Sequence, residues 1–177
     1  MTIAFVFPGQ GSQAVGMGKA LASNFSPAQQ IFAEVDEALG SKLSTIIFEG
    51  PADTLTLTEN AQPALMAVSL AVQRVLEAEA GLDLARDVQF VAGHSLGEYS
   101  ALAAGGAFTV ADAARLLRTR GQAMQKAVPV GAAAGRPAVE FLRPGHAVDH
   151  AAQHGVGTAG VAGAGIGQGS GPGGFGY

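Results

Sequence analysis

The sequence predicts an α/β fold built on a parallel sheet, and three observations support this. Residues 3–7 form a short, wholly apolar run, typical of a strand buried on both faces, and residues 88–92 form a short run dominated by β-forming side chains. Each run ends in a loop that contains glycine, and each loop leads into a segment with helical periodicity. Strands that alternate with helices in this way pair in parallel.

Composition and charge argue against several functional classes. The chain has 177 residues, enough for one domain with a substantial core, a formal net charge of -4 and no cysteine. The negative charge gives no electrostatic reason to bind nucleic acid or an anionic membrane. Without cysteine, disulfides and thiolate metal sites are excluded. No signal peptide or membrane span is evident, so we expect a cytoplasmic protein with neither nucleic acid nor membrane as partner.

The first predicted strand ends in a loop at residues 8–13, where Pro8, Gly9 and Gly11 break regular structure. Open α/β sheets bind ligands at the carboxyl ends of their strands, so this loop is a candidate for a site. Its glycine spacing does not continue into a dinucleotide fingerprint, because Ala14 stands where the third glycine belongs. A ligand loop and a flexible connection both remain open.

Helical spacing of apolar residues predicts a helix that begins with Ser26 as its N-cap and closes at Gly40. Its acidic residues, Asp36 among them, are assigned to the solvated face. Residues 41–48 predict another short helix.

A long helix is predicted next, capped by Thr58 or Asn60 and running to about residue 80. It is apolar nearly all round between residues 61 and 72, which places it in the middle of the domain. Gln62, near its start, either lines a pocket or serves as a simple cap.

The predicted helix at residues 110–128 carries an unusually placed charge. Arg120 falls on the apolar stripe, three residues after Leu117 and four before Met124, whereas Arg118 falls on the opposite stripe. A guanidinium cannot shed its proton, so on a buried face it needs an anionic partner. That partner is either a structural carboxylate or the carboxylate of a substrate, unless the side chain extends to the solvent.

A candidate nucleophile lies between the second predicted strand and the helix that follows it. Gly93, Ser95 and Gly97 form a Gly-x-Ser-x-Gly turn. In a strand–turn–helix context this turn lifts the serine hydroxyl out of the sheet. The helix N-terminus beside it can stabilise an oxyanion.

Four motifs now agree with one family, in the family's order. They are Phe7-Pro8-Gly9-Gln10-Gly11-Ser12-Gln13, Gln62-Pro63-Ala64-Leu65, Gly93-His94-Ser95-Leu96-Gly97-Glu98-Tyr99-Ser100-Ala101-Leu102, and Arg120-Gly121-x-x-Met124-Gln125. Over residues 1–131 the chain resembles the malonyl-CoA:acyl-carrier-protein transacylases of type II fatty acid synthesis. It also resembles the acyltransferase domains of fatty acid and polyketide synthases. The resemblance implies an α/β-hydrolase-like core, present here in part, and a ferredoxin-like subdomain that is mostly missing.

The resemblance also implies a reaction: malonyl transfer from malonyl-CoA to acyl carrier protein through an ester on Ser95, as an S-malonyltransferase without a cofactor or metal. By the same resemblance the backbone N–H groups of Gln10 and Leu96 form the oxyanion hole. Arg120 binds the malonyl carboxylate, and Gln62 lines the pocket.

The family's general base is a histidine from a later part of the chain, and no matching motif is found here. His94 is assigned to substrate binding instead, because its side chain should leave the turn on another side from Ser95. His146, His150 and His154 recur every four residues, which could suggest a metal face. We attribute that spacing to chance in a biased segment, so neither a base nor a metal ligand is identified.

Residues 132–177 do not continue the family pattern. Of the 26 glycines, 14 lie between Gly131 and Gly176, and we expect this Gly/Ala-rich segment to be a disordered tail. Its composition resembles GC-rich coding sequence read in a shifted frame. The alternative functions are therefore a truncated or frameshifted fragment without transferase activity, or a serine hydrolase or thioesterase.

Overall fold

The computed structural model describes residues 3–127 in full and residues 139–142 by their backbone. The elements in chain order are β1 (Ala4–Phe7), α1 (Lys19–Asn24), α2 (Ser26–Leu39), α3 (Leu43–Glu49), α4 (Ala52–Thr56), α5 (Thr58–Ala80), α6 (Leu84–Asp87), β2 (Phe90–His94), α7 (Leu96–Ala104), α8 (Val110–Ala127) and β3 (Val139–Leu142). The predicted α/β class is confirmed: the described chain combines eight helices with a small three-stranded sheet.

The sheet has the order β1–β2–β3. β1 and β2 are parallel, as predicted, and their register pairs Phe7 with Gly93. The predicted burial of both faces is wrong for β1, because Phe7 is buried but Val6, on the other face, is 66% exposed. Because parallel strands end at the same edge, the loop after β1 and the turn after β2 are neighbours. β3 pairs antiparallel with β2 and was not predicted, since it lies inside the segment expected to be a tail. The rest of that segment is outside the described residues, and its predicted disorder stays a prediction.

The centre of the main core is α5, which packs against α2 and α8. Met66 and Ala67, at its middle, have no exposed surface, which confirms the central position predicted from its apolar surface. Only its later part turns outward, where Val72 is 44% exposed. Pro63 is the sixth residue of α5, and because its ring nitrogen carries no hydrogen, one intrahelical hydrogen bond to the first turn is not made.

The predicted helix caps are wrong at two N-termini. α2 begins at Ser26 itself, with Phe25 as its N-cap, and α5 begins after Leu57. No side chain caps either of these two N-termini. Thr58 and Asn60 lie inside α5, and their side chains bond to other elements instead of capping the helix. A sequence shows that a polar residue can cap a helix, but not that a more distant partner holds it.

Asp36 was assigned to the solvated face of α2, and this is also wrong. The residue is 7% exposed. Its carboxylate accepts hydrogen bonds from the backbone N–H of Ser44 at 2.8 Å and from the Ser44 hydroxyl at 2.7 Å. The carboxylate can be buried because these two hydrogen bonds satisfy it, and the same bonds fasten α3 to α2.

None of the described helices is long and apolar enough to cross a membrane. Within the described ranges, no group of three or more histidine, aspartate or glutamate side chains is arranged to hold a metal ion. His146, His150 and His154 lie outside those ranges.

Candidate active site

The turn around Ser95 has the sharp geometry that its glycines predict. Ser95 joins β2 to α7 with φ 58° and ψ -110°, and no other non-glycine residue in the described ranges has a positive φ. A Cβ atom at Gly93 would collide with the backbone of Gly97, and one at Gly97 with the carbonyl oxygen of Phe7. Both positions therefore require glycine so that the turn can close against β1.

Arg120 links the Ser95 hydroxyl to the side chain of Gln62. Arg120 Nη2 donates to Ser95 Oγ at 3.0 Å, and Arg120 Nη1 donates to Gln62 Oε1 at 2.6 Å. The guanidinium carbon lies 5.8 Å from the centre of the Tyr99 ring. Three residues chosen from separate sequence motifs thus meet at one point, on the turn, on α8 and on α5.

The charge of Arg120 has no anionic partner among the described residues. Its hydrogen-bond acceptors there are a neutral amide and a neutral hydroxyl, and it forms no ion pair with a described carboxylate. Contact with the face of Tyr99 stabilises a cation but does not neutralise it. The bonds to Gln62 and Ser95 use two of the five guanidinium N–H groups, so others can bind an added carboxylate.

The sequence missed a second half-buried arginine in α8. Arg118 was assigned to the solvated stripe, but its Nη1 donates to Asn60 Oδ1 at 2.6 Å, which corrects that assignment. Burial lowers the pKa of Arg118, and the nearby Glu59 carboxylate partly opposes this effect. The prediction that Arg118 lies on a solvated stripe is wrong because this side of α8 packs against the first turns of α5.

The loop after β1 lies against the turn that contains Ser95. A Cβ atom at Gly9 would collide with the imidazole of His94, so glycine is needed for this approach. Gln10 reaches across to α5, where its Nε2 donates to Thr58 Oγ1 at 3.2 Å. In the described part of the chain neither His94 nor any other histidine is hydrogen bonded to Ser95, so no general base is identified there.

The first turn of α5 is fastened to α8. A Cβ atom at Gly121 would lie 2.5 Å from Glu59 Cα and 2.7 Å from the carbonyl oxygen of Thr58. Gln125 Oε1 accepts the backbone N–H of Glu59 at 2.8 Å. Gly121 and Gln125, which the motif around Arg120 contains, therefore fix the crossing of the two helices.

Known proteins are similar over the same part of the chain. The family described as acyl transferase domain matches residues 4–162, past the predicted boundary at residue 131. The malonyl CoA-acyl carrier protein transacylase of Bacillus subtilis (strain 168) is 54% identical over 129 residues, which cover 73% of this chain and 39% of that protein. The transacylase of Escherichia coli (strain K12) is 47% identical over 131 residues, 74% of this chain and 41% of that protein.

Solved structures agree. The acyl-carrier-protein S-malonyltransferase of Bartonella henselae has 66% identity and a TM-score of 0.72, and the match covers 74% of this chain and 41% of that one. The enzyme of the same name from Vibrio cholerae has 46% identity and a TM-score of 0.68, with 74% and 42% covered. The chain thus spans 39 to 42% of the length of these relatives. Its sequence motifs, its fold and these matches together show that the chain belongs to the acyl transferase domain family.

Proposed function

We propose that this chain acts in the transfer of malonyl groups from malonyl-CoA to acyl carrier protein in fatty acid biosynthesis. The observation that carries the proposal is the guanidinium of Arg120, which lies 3.0 Å from the Ser95 hydroxyl without a carboxylate partner in the described residues. The relatives are named for this transfer, and one similar structure is a malonyl-transacylase in complex with its acyl-carrier protein. The chain spans less than half of these relatives, so the whole reaction is inferred.

The proposed reaction has two steps at one oxygen atom. Ser95 Oγ attacks the thioester carbonyl of malonyl-CoA and forms the malonyl ester, while the C–S bond breaks and the CoA thiol leaves with the proton. The phosphopantetheine thiol of the carrier protein then attacks the ester. A new thioester forms, the C–O bond breaks, and Ser95 recovers its proton.

The two ends of the malonyl group would be held by different elements. Arg120, on α8, binds the free carboxylate through paired N–H groups. The backbone N–H groups of Gln10 and Leu96 stabilise the oxyanion that develops on the carbonyl. The register that puts Phe7 beside Gly93 supports this role, because it brings the Gln10 loop to the nucleophile turn. Gln62 orients Arg120 and lines the pocket, and His94 lies at its edge.

Arg120 also favours transfer over plain hydrolysis. An esterase or thioesterase for neutral acyl groups gains nothing from an uncompensated cation beside its nucleophile, since that charge is costly to bury. A malonyl transferase needs such a cation because its substrate carries a carboxylate. We place the reaction in the cytoplasm, because the CoA thioester named for the relatives is water soluble.

The second candidate is that this chain is a fragment without transferase activity. The observation that favours it is the lack of a described histidine bonded to Ser95, since a serine hydroxyl is a weak nucleophile without a base. We propose residues 1–131 as the acyltransferase core and residues 132–177 as a Gly/Ala-rich tail, which adds β3 to the sheet and is covered by the family match as far as residue 162. In this alternative, Ser95 and Arg120 are in place but the proton of the hydroxyl has no acceptor.

Mass spectrometry after incubation with malonyl-CoA separates the two candidates. A stoichiometric adduct of malonyl mass that maps to Ser95 and disappears in Ser95→Ala is expected for a working nucleophile. Transfer of that adduct to holo acyl carrier protein completes the reaction. A folded protein that never forms the adduct would sink the transferase proposal in favour of the fragment.

A further inference from the structure

We infer that Thr58 is a positioning residue that holds the oxyanion loop through the side chain of Gln10. The inference rests on the proposed function in one respect, that Ser95 is the atom that is acylated. The contact that carries it joins Gln10 Nε2 to Thr58 Oγ1 at 3.2 Å, across 48 residues of sequence.

Within the described residues, the other side-chain hydrogen bonds of the loop are internal to it. The backbone N–H of Gly11 donates to Gln13 Oε1 at 2.8 Å, and the Ser12 hydroxyl donates to the carbonyl of Gly9 at 3.2 Å. Gly11 has φ 113°, so the peptides beside it can rotate more freely than those of other residues. A loop tied mainly to itself can turn as a unit, and the bond to Thr58 resists that rotation.

Thr58 is suited to this role because its own position is fixed. It is the first residue of α5, and its carbonyl oxygen packs against Gly121 of α8. The next N–H group, that of Glu59, donates to Gln125 Oε1 at 2.8 Å. The Thr58 hydroxyl therefore projects from a helix end that is fastened on a second helix.

The same two helices also fix the opposite end of the proposed substrate site. One turn further along α5, Gln62 accepts from Arg120 at 2.6 Å. α5 thus holds the carboxylate receptor through Gln62 and the oxyanion loop through Thr58. The distance between these two positions sets the spacing between the carboxylate and the reacting carbonyl that the site can accept.

The test compares Thr58→Val, which removes the hydroxyl at nearly constant volume, with Thr58→Ser, which retains it. Thr56→Val is the matched control, because the Thr56 hydroxyl donates only to Ala52 within α4. Each variant of the 177-residue chain is reacted with malonyl-CoA and, separately, with a fluorophosphonate probe that has no carboxylate. The limiting acylation rate and the half-saturating concentration are both measured.

We expect Thr58→Val to lower the limiting rate about two- to tenfold with both reagents, the range for losing one neutral hydrogen bond. The half-saturating malonyl-CoA concentration should not change, because Arg120 is intact. Thr58→Ser should recover most of the rate, and Thr56→Val should react like the parent. Equal rates for Thr58→Val and the parent, or equal losses in Thr58→Val and Thr58→Ser, would overturn the inference.

Two further outcomes separate this inference from the proposed function. If malonyl-CoA does not load the parent but the probe labels Ser95, more slowly in Thr58→Val, the inference stands and malonyl transfer fails. If neither reagent labels a folded parent, both fail. Should Thr58→Val not fold, Gln10→Ala removes the same bond from an exposed residue, and an undiminished probe rate in that variant would also refute the inference.

Discussion

Replacing Arg120 by alanine tests the substrate-binding proposal most directly. A charge-assisted hydrogen bond contributes about 1.5–3 kcal/mol, and the proposed carboxylate contact contains two in a partly exposed site. A combined loss of about 3 kcal/mol corresponds to about a hundredfold slower malonyl loading. Acetyl-CoA has no carboxylate, so its loading should change much less, and the malonyl-to-acetyl ratio of acylation rates should fall by nearly the whole factor.

The same substitution also affects folding, and the chain offers a matched control. Without Arg120, the fully buried Gln62 loses the donor to its Oε1, which costs about 1–3 kcal/mol of stability. Arg118→Ala removes a bond of the same length, 2.6 Å, to Asn60 at the other side of the helix crossing. Both variants should unfold at a lower urea concentration than the parent. Only Arg120→Ala should change the malonyl-to-acetyl ratio of acylation rates. Equal losses for malonyl and acetyl, or the same change of ratio in Arg118→Ala, would refute the role of Arg120.

Gly121→Ala should destabilise the protein by about 1–2 kcal/mol in urea unfolding, because overpacking against rigid backbone exceeds the gain in helix propensity. Gln122→Ala, at an exposed position of the same helix, should be neutral, and a stabilised Gly121→Ala would contradict the packing argument. Asp36→Ala should cost about 2–3 kcal/mol in the same assay, since the buried carboxylate accepts two bonds from Ser44. A hydrogen bond from the Arg86 guanidinium lowers the pKa of Asp87 to about 2, from the ordinary 3.8. Deprotonated Asp87 therefore stabilises the fold above pH 3.8, and that contribution is lost as pH falls towards 2. Asp87→Asn should flatten this part of the pH–stability curve, and an unchanged curve would count against the pair.

The elements that the sequence predicted correctly share one property, a strong local pattern. β1 is a continuous apolar run, α5 is apolar nearly all round, and the glycines around Ser95 allow a turn that few other residues permit. The odd position of Arg120 on its helix was informative for the same reason. A charge on an apolar stripe contradicts its surroundings, and the structure places it beside the candidate nucleophile.

The features that the sequence did not predict depend on partners from distant elements. Asp36 and Arg118 both fall on polar stripes, and only the packing of α3 and α5 shows that they are half or fully buried. Thr58 was predicted to be a cap because it is a polar residue at the start of a helix. Its bond to Gln10 spans 48 residues, so the local sequence does not show it. Helical periodicity gives the face on which a residue lies, but not what covers that face.

The backbone of Ser95 has a consequence for the stability of variants at this position. Holding a non-glycine residue at φ 58° costs about 1–3 kcal/mol, which the surrounding packing must offset. A Ser95→Gly change would release that cost, whereas Ser95→Ala would keep it. The Ser95→Gly variant, which lacks the hydroxyl, should therefore melt at a higher temperature than the parent. A gain in melting temperature for Ser95→Gly without a matching gain for Ser95→Ala would measure the strain held in the backbone of this turn.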